Sequence, residues 1–139
     1  MSIEKKFVPP EYHLFSVEEA NSLIPELELS FVKLRKLNRE VAMIVEEKKK
    51  LSKGNGKIHL NSDKVPVDLE ILTKNLEIIS NMVGEIQDSG VIIKDIETGL
   101  VDFPHRRGDR IVYLCWQSGK NKIDFWHEIE AGKAGRQPL

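Results

Sequence analysis

Residues 90–130 read GVIIKDIETGLVDFPHRRGDRIVYLCWQSGKNKIDFWHEIE, and the two-residue period of this stretch decides the fold. Val91-Ile92-Ile93-Lys94-Asp95-Ile96 is short and β-branched, the composition of a strand. Glu97-Thr98-Gly99 supplies a turn, with glycine where a positive φ is needed. Leu100-Val101-Asp102-Phe103 returns as a second strand, ended by Pro104, and Arg106-Arg107-Gly108-Asp109 turns the chain again. From Arg110 to Trp116, Ile111, Tyr113 and Cys115 fall on one face and Val112, Leu114 and Trp116 on the other. Apolar residues on both faces predict a central strand covered twice. After a turn at Gln117–Asn121, Ile123 to about Glu128 makes a fourth strand. The expectation is a small antiparallel β-meander of three to four strands over residues 91–130, with an irregular tail over residues 131–139.

Upstream the period becomes helical. Ser16-Val17-Glu18-Glu19 is a capping box, in which the Ser16 hydroxyl and the Glu19 carboxylate each accept the other residue's backbone N–H. Pro25 then removes a hydrogen bond and clashes one turn back, which predicts a kink in this first helix. Leu27, Phe31, Leu34, Leu37, Val41 and Ile44 step by three or four along one face, until the glycines of Ser52–Lys57 stop the helix. A second helix starts near Pro66, with Leu69, Leu72, Leu76, Ile79, Val83 and Ile86 as a heptad seam and Gly90 as its stop. The pair predicts a long antiparallel helical hairpin over residues 15–90, and the whole chain, 1–139, reads as one α+β domain. Leu29, Val32, Ile71, Ile78 and Met82 fall off the stripes and need a cover. A homodimer, joined through the helical stripes as a four-helix bundle, is the expected one.

Bulk properties narrow the classes. The 139 residues suffice for one core, and a formal net charge of −1 gives no field to attract nucleic acid or anionic lipid. The single cysteine excludes an intramolecular disulfide and a multi-cysteine zinc knuckle. MSIEKKFVPPEYHLF lacks an apolar signal-peptide core, and no apolar run approaches the roughly 18 residues of a membrane span. A cytoplasmic protein is expected, with no membrane and no nucleic-acid partner.

FSVEEANSLIPEL, GVIIKDIETGLVDFPHRRGDRIVYLCWQSG and FWHEIEAGKAGRQPL, in that order, resemble the prokaryotic family catalogued as domain of unknown function 2203. DFP, YLCW, WHE and GRQPL make the likeness specific, and it covers most of the chain, with the connecting loop around residues 52–65 idiosyncratic. It implies no activity and carries over no catalytic residue.

The chemistry-bearing residues gather in the last third. Trp126-His127-Glu128-Ile129-Glu130 combines imidazole with carboxylates, donors suited to zinc, manganese or iron. On a strand, however, His127 points away from Glu128 and Glu130. A metal would then have to recruit Asp102, His105 or Cys115, and the competing reading is a histidine hydrogen-bonded beneath the two tryptophans. His105, Arg106, Arg107, Arg110 and Arg136 offer planar donor forks to an anion, but pairing with Asp102 and Asp109 to fix the hairpin is the favoured reading. Gly132 and Gly135 lack phosphate-loop spacing and suggest an ordered excursion of backbone. Cys115, mid-strand with no adjacent base, reads as a core residue rather than a nucleophile.

Two functions follow. The leading one is a non-catalytic, self-associating or partner-binding module of unassigned role. The alternative is a small-ligand- or metal-binding protein, with enzymatic activity left open. Its site would lie where the meander meets the helices, lined by Asp102, Arg106, Trp116, Trp126, His127 and Glu128. Neither cofactor nor ligand is identified by sequence.

Overall fold

A computed structural model describes residues 13–55 and 67–139. The extended lead-in expected before residue 13 and the polar connection containing His59 and Pro66 lie outside the described residues. The helical part opens with the capping box: Ser16 Oγ accepts from Glu19 N at 3.0 Å, and Glu19 Oε1 accepts from Ser16 N at 3.2 Å. This starts helix α1 (Val17–Ser22), and helix α2 (Ile24–Asn55) follows after Leu23. The break falls two residues before Pro25, which lies in the first turn of α2, where its missing N–H costs nothing. Helix α2 also runs through Gly54, because one glycine costs only about 1 kcal/mol and cannot by itself end a helix.

Leu27, Phe31, Leu34 and Leu37 on α2 are buried, as their spacing predicts. Helix α3 (Val67–Asp88) lies beside α2, with Asn75 Nδ2 donating to Glu40 Oε2 at 2.8 Å and Lys48 Nζ 2.8 Å from Asp68. Its buried line departs from the expected seam. Ile79, Met82, Val83 and Ile86 pack on the core, whereas Leu76 is 49% exposed and the polar Asn75 is buried in its stead. The first half of α3 faces one helix only, so it buries a narrow strip and leaves Leu69 and Leu76 on its flanks. Of the residues expected off the stripes, Leu29, Val32 and Ile71 are exposed, whereas Met82 is covered by the core.

The sheet has five antiparallel strands in the order β1-β2-β3-β4-β5, one more than the largest number expected. They are β1 (Ile92–Asp95), β2 (Leu100–Arg107), β3 (Arg110–Gln117), β4 (Phe125–His127) and β5 (Gln137–Pro138). Gly108, at φ +66°, takes the first central position of a two-residue hairpin loop, the place where a type II′ turn requires glycine. Strand β2 does not end at Pro104. The Pro104 carbonyl accepts from Phe15 N at 2.7 Å, on the side away from β3, so the absent proline N–H faces that same side and costs the β2–β3 ladder no bond. The C-terminal tail is likewise more regular than expected. It makes one 3-10 turn at Lys133–Gly135, then pairs with β4, and Leu139 N donates to Asp124 O at 2.8 Å.

Alternation along the strands separates two faces. Val101, Phe103, Leu114 and Trp116 point to the helices and join Phe15, Ala20, Ile24, Leu27, Phe31 and Leu34 in the core. Asp102, Pro104, Tyr113, Cys115, Phe125 and His127 take the opposite face. The turn after β3 is tied to α2: the Glu28 carboxylate accepts from Ser118 Oγ (2.7 Å) and Gly119 N (3.1 Å), and Arg35 Nη1 donates to Ser118 Oγ at 3.1 Å. The molecule is thus a set of helices followed by an antiparallel sheet, an α+β arrangement.

Candidate metal centre

Three strands each contribute one side chain to a buried polar cluster on the sheet face away from the core. Asp102 on β2 lies opposite Cys115 on β3, and His127 on β4 lies opposite Tyr113, one step along the same face. One donor atom from each of Asp102, Cys115 and His127 lies within 4.8 Å of the other two. All three residues are buried, Asp102 to 1% exposure and His127 to 2%.

Hydrogen bonding orders the cluster. His127 Nδ1 lies 2.8 Å from the carbonyl oxygen of Glu128. A carbonyl only accepts, so Nδ1 carries the proton and donates. In the neutral ring Nε2 is then a bare lone pair, and it lies 3.1 Å from Asp102 Oδ1. Two acceptors at that separation need a shared proton or a cation between them. Asp102 Oδ2 is buried with no hydrogen-bond partner among the described residues, and Lys94 Nζ stands 4.0 Å from it. Burial pushes the Asp102 carboxyl above the usual carboxylate range. The hydrogen bond shared with His127, the positive charge the ring has when the shared proton sits on Nε2, the charge of Lys94, and a hydrogen bond with the Cys115 thiol oppose that rise without cancelling it. The Tyr113 ring stands edge-on to His127, with centroids 5.6 Å apart.

The donors suit a zinc-class ion. Thiolate, imidazole and carboxylate bind at roughly 2.3, 2.0–2.1 and 2.0–2.2 Å, which at tetrahedral angles puts ligand atoms about 3.3–3.6 Å apart. The 3.1 Å between His127 and Asp102 is close to that spacing, and the remaining atoms, within 4.8 Å of one another, need to close by about 1.5 Å at most. A ligating histidine characteristically donates its other N–H to a carbonyl or carboxylate, as His127 does to Glu128 O.

The six residues expected to line a site divide. Asp102 and His127 meet. Glu128 contributes its carbonyl, while its carboxylate pairs with Arg110 at 2.7 Å. Trp116 and Trp126 lie on the core-facing side of the sheet, the first donating its indole N–H to Lys120 O at 2.9 Å and the second lying 4.2 Å beneath Arg107. Arg106 is exposed near the β2–β3 turn, away from the cluster. Of the possible recruits, Cys115 joins, while His105 donates Nδ1 to Phe15 O at 2.7 Å. Three of the arginines find other partners than the expected Asp102 and Asp109: Arg107 and Arg110 face Trp126, Arg110 also pairs with Glu128, and Arg136 lies 4.7 Å from the Phe125 ring centroid.

Cys115 was within reach of the sequence. A two-residue loop at Gly108-Asp109 pairs positions summing to 217, and 102 + 115 = 217, so the turn alone sets Asp102 against Cys115. No such rule covers the irregular segment before β4, which decides where His127 falls.

Compared with known proteins, the chain matches over residues 13–139 the family described as an uncharacterized conserved protein, DUF2203, and it belongs to that family. No curated protein and no solved structure matches it.

Proposed function

We propose that this family member is a transition-metal-binding protein, with Asp102, Cys115 and His127 as ligands and an ion of the zinc class as the bound species. The Asp102–His127 contact carries the reading: with Nδ1 committed to Glu128 O, Nε2 and Asp102 Oδ1 face each other at 3.1 Å in a buried site that needs a proton or a cation between them, beside a second carboxylate oxygen that has no hydrogen-bond partner among the described residues. A cytoplasmic setting would keep the Cys115 thiol reduced and available. Metal analysis of the purified chain, followed by stripping and reloading with Co2+, tests it. The expected result is one ion per chain and a thiolate-to-cobalt absorption band that disappears in Cys115→Ser and weakens in His127→Ala. A reloaded protein with no such band rejects the site.

Self-association is a second reading, motivated by apolar residues left in solvent on the helices. Leu29 is 74% exposed and Val32 55%, one turn apart on α2. The pairing of Glu40 with Asn75 and of Lys48 with Asp68 runs in opposite directions along the two helices, which supports an antiparallel hairpin offering its outer faces to a second copy. Light scattering at rising concentration tests this; a constant monomer mass rejects it.

A further inference from the structure

We infer that the ion's remaining coordination position takes a small oxyanion, a carboxylate or phosphate oxygen, that enters beside Cys115. This rests on the metal reading above and adds the chemical class of what the metal meets. Three protein ligands leave a tetrahedral ion one open position, the arrangement of sites that exchange an external ligand. A cleft beside β3 touches the cluster at Cys115, the one of the three ligands that lines it; Trp116, Gln117 and Phe125 wall it, and Lys120, Lys122, Arg136 and Asp124 rim it, three cations against one anion. Its inner space, about 30 Å³, fits a carboxylate-sized group with the rest of the molecule in solvent.

The rim is held in place. Trp116 Nε1 donates to Lys120 O, Leu139 N donates to Asp124 O, and the Arg136 guanidinium lies 4.7 Å from the Phe125 centroid. Charge gives the direction. A divalent ion with the Asp102 carboxylate and the Cys115 thiolate is neutral, so a bound oxyanion makes the complex negative. Lys94 beside Asp102 and the cationic rim then stabilise that negative charge, as oriented cations do in a low-dielectric cleft.

The test uses the full chain loaded with Co2+, titrated separately with acetate and inorganic phosphate against perchlorate at constant ionic strength. The visible cobalt bands should shift saturably with acetate, phosphate or both, and the arm that saturates at lower concentration identifies the favoured oxyanion. Lys120→Met with Lys122→Met, both exposed positions, should weaken that binding on the order of tenfold while the thiolate band stays unchanged. If the thiolate band forms but neither anion shifts the spectrum, the open position holds water and the inference is overturned. Anion binding unaffected by the double variant overturns the proposed entry. Failure to form the thiolate band removes the metal reading and this inference with it.

Discussion

Asp102 Oδ1 and His127 Nε2 lie 3.1 Å apart across β3, although 25 residues separate them in sequence. Without metal the contact depends on a proton. The folded state raises the Asp102 pKa, chiefly through burial, so it binds more protons than the unfolded chain above the ordinary carboxylate range. Stability of the metal-stripped protein should therefore fall as pH rises from that range through the raised value. Asp102→Asn removes the titrating group and should flatten the slope. Urea unfolding in chelator between pH 4 and pH 8, roughly the span above unperturbed carboxylates, reads both. Parallel slopes for the two proteins would refute the assignment.

Metal affinity should have the opposite pH dependence. The Cys115 thiol and the Asp102 carboxyl must lose their protons to ligate, so binding releases protons and tightens as pH rises. Competition against a chromophoric chelator at two pH values measures it. Cys115→Ser should weaken zinc by more than the 10–100-fold typical of an outer-shell partner. An unchanged affinity in that variant would place the ion elsewhere.

The register of burial on α2 predicts a contrast between close neighbours. Phe31 is fully buried in the core, so Phe31→Ala should cost about 3–5 kcal/mol. Leu29, two residues away, is mostly exposed, and Leu29→Ala should change the stability of the monomer by no more than about 0.5 kcal/mol. Similar losses in denaturant unfolding would contradict the orientation of the helix.

Two turn glycines should respond unequally. Gly99 has φ +67°, and a Cβ added there would collide with Ser118 Cβ, displacing the residue that joins Arg35 and Glu28. Gly108 has a similar φ but open space around it. Gly99→Ala should therefore cost more than the roughly 1–3 kcal/mol of backbone strain expected for Gly108→Ala. Thermal unfolding of the pair checks the order.

What the sequence made legible follows from local rules. The Ser16 capping box, the Leu27–Leu37 stripe, the two faces of β3 and the turn at Gly108-Asp109 each depend on neighbours within a few residues. Features set by distant partners escaped. Pro104 continues a strand because Phe15, 89 positions earlier (104 − 15), supplies the donor on its outer side. Asn75 displaces Leu76 from the helix contact because Glu40 can bond its amide. His127 was a candidate ligand by composition, but its junction with Asp102 and Cys115 needed the β3–β4 register, set across a segment without a regular turn. The Gln137–Pro138 strand escaped for the same reason, since two residues carry no period.

The anchoring of the N-terminal segment also has a consequence in time. Phe15 bonds Pro104, Glu28 bonds Ser118 across 90 positions, and Asn21 Oδ1 accepts from Ile123 N across 102. The β2–β3 hairpin needs only a two-residue loop. Contacts that close long loops form late, after the entropy of closure has been met, and local hairpins form early. The contacts of Phe15, Asn21 and Glu28 with the sheet should thus form after the β2–β3 hairpin, so that substitutions at these residues speed unfolding more than they slow folding.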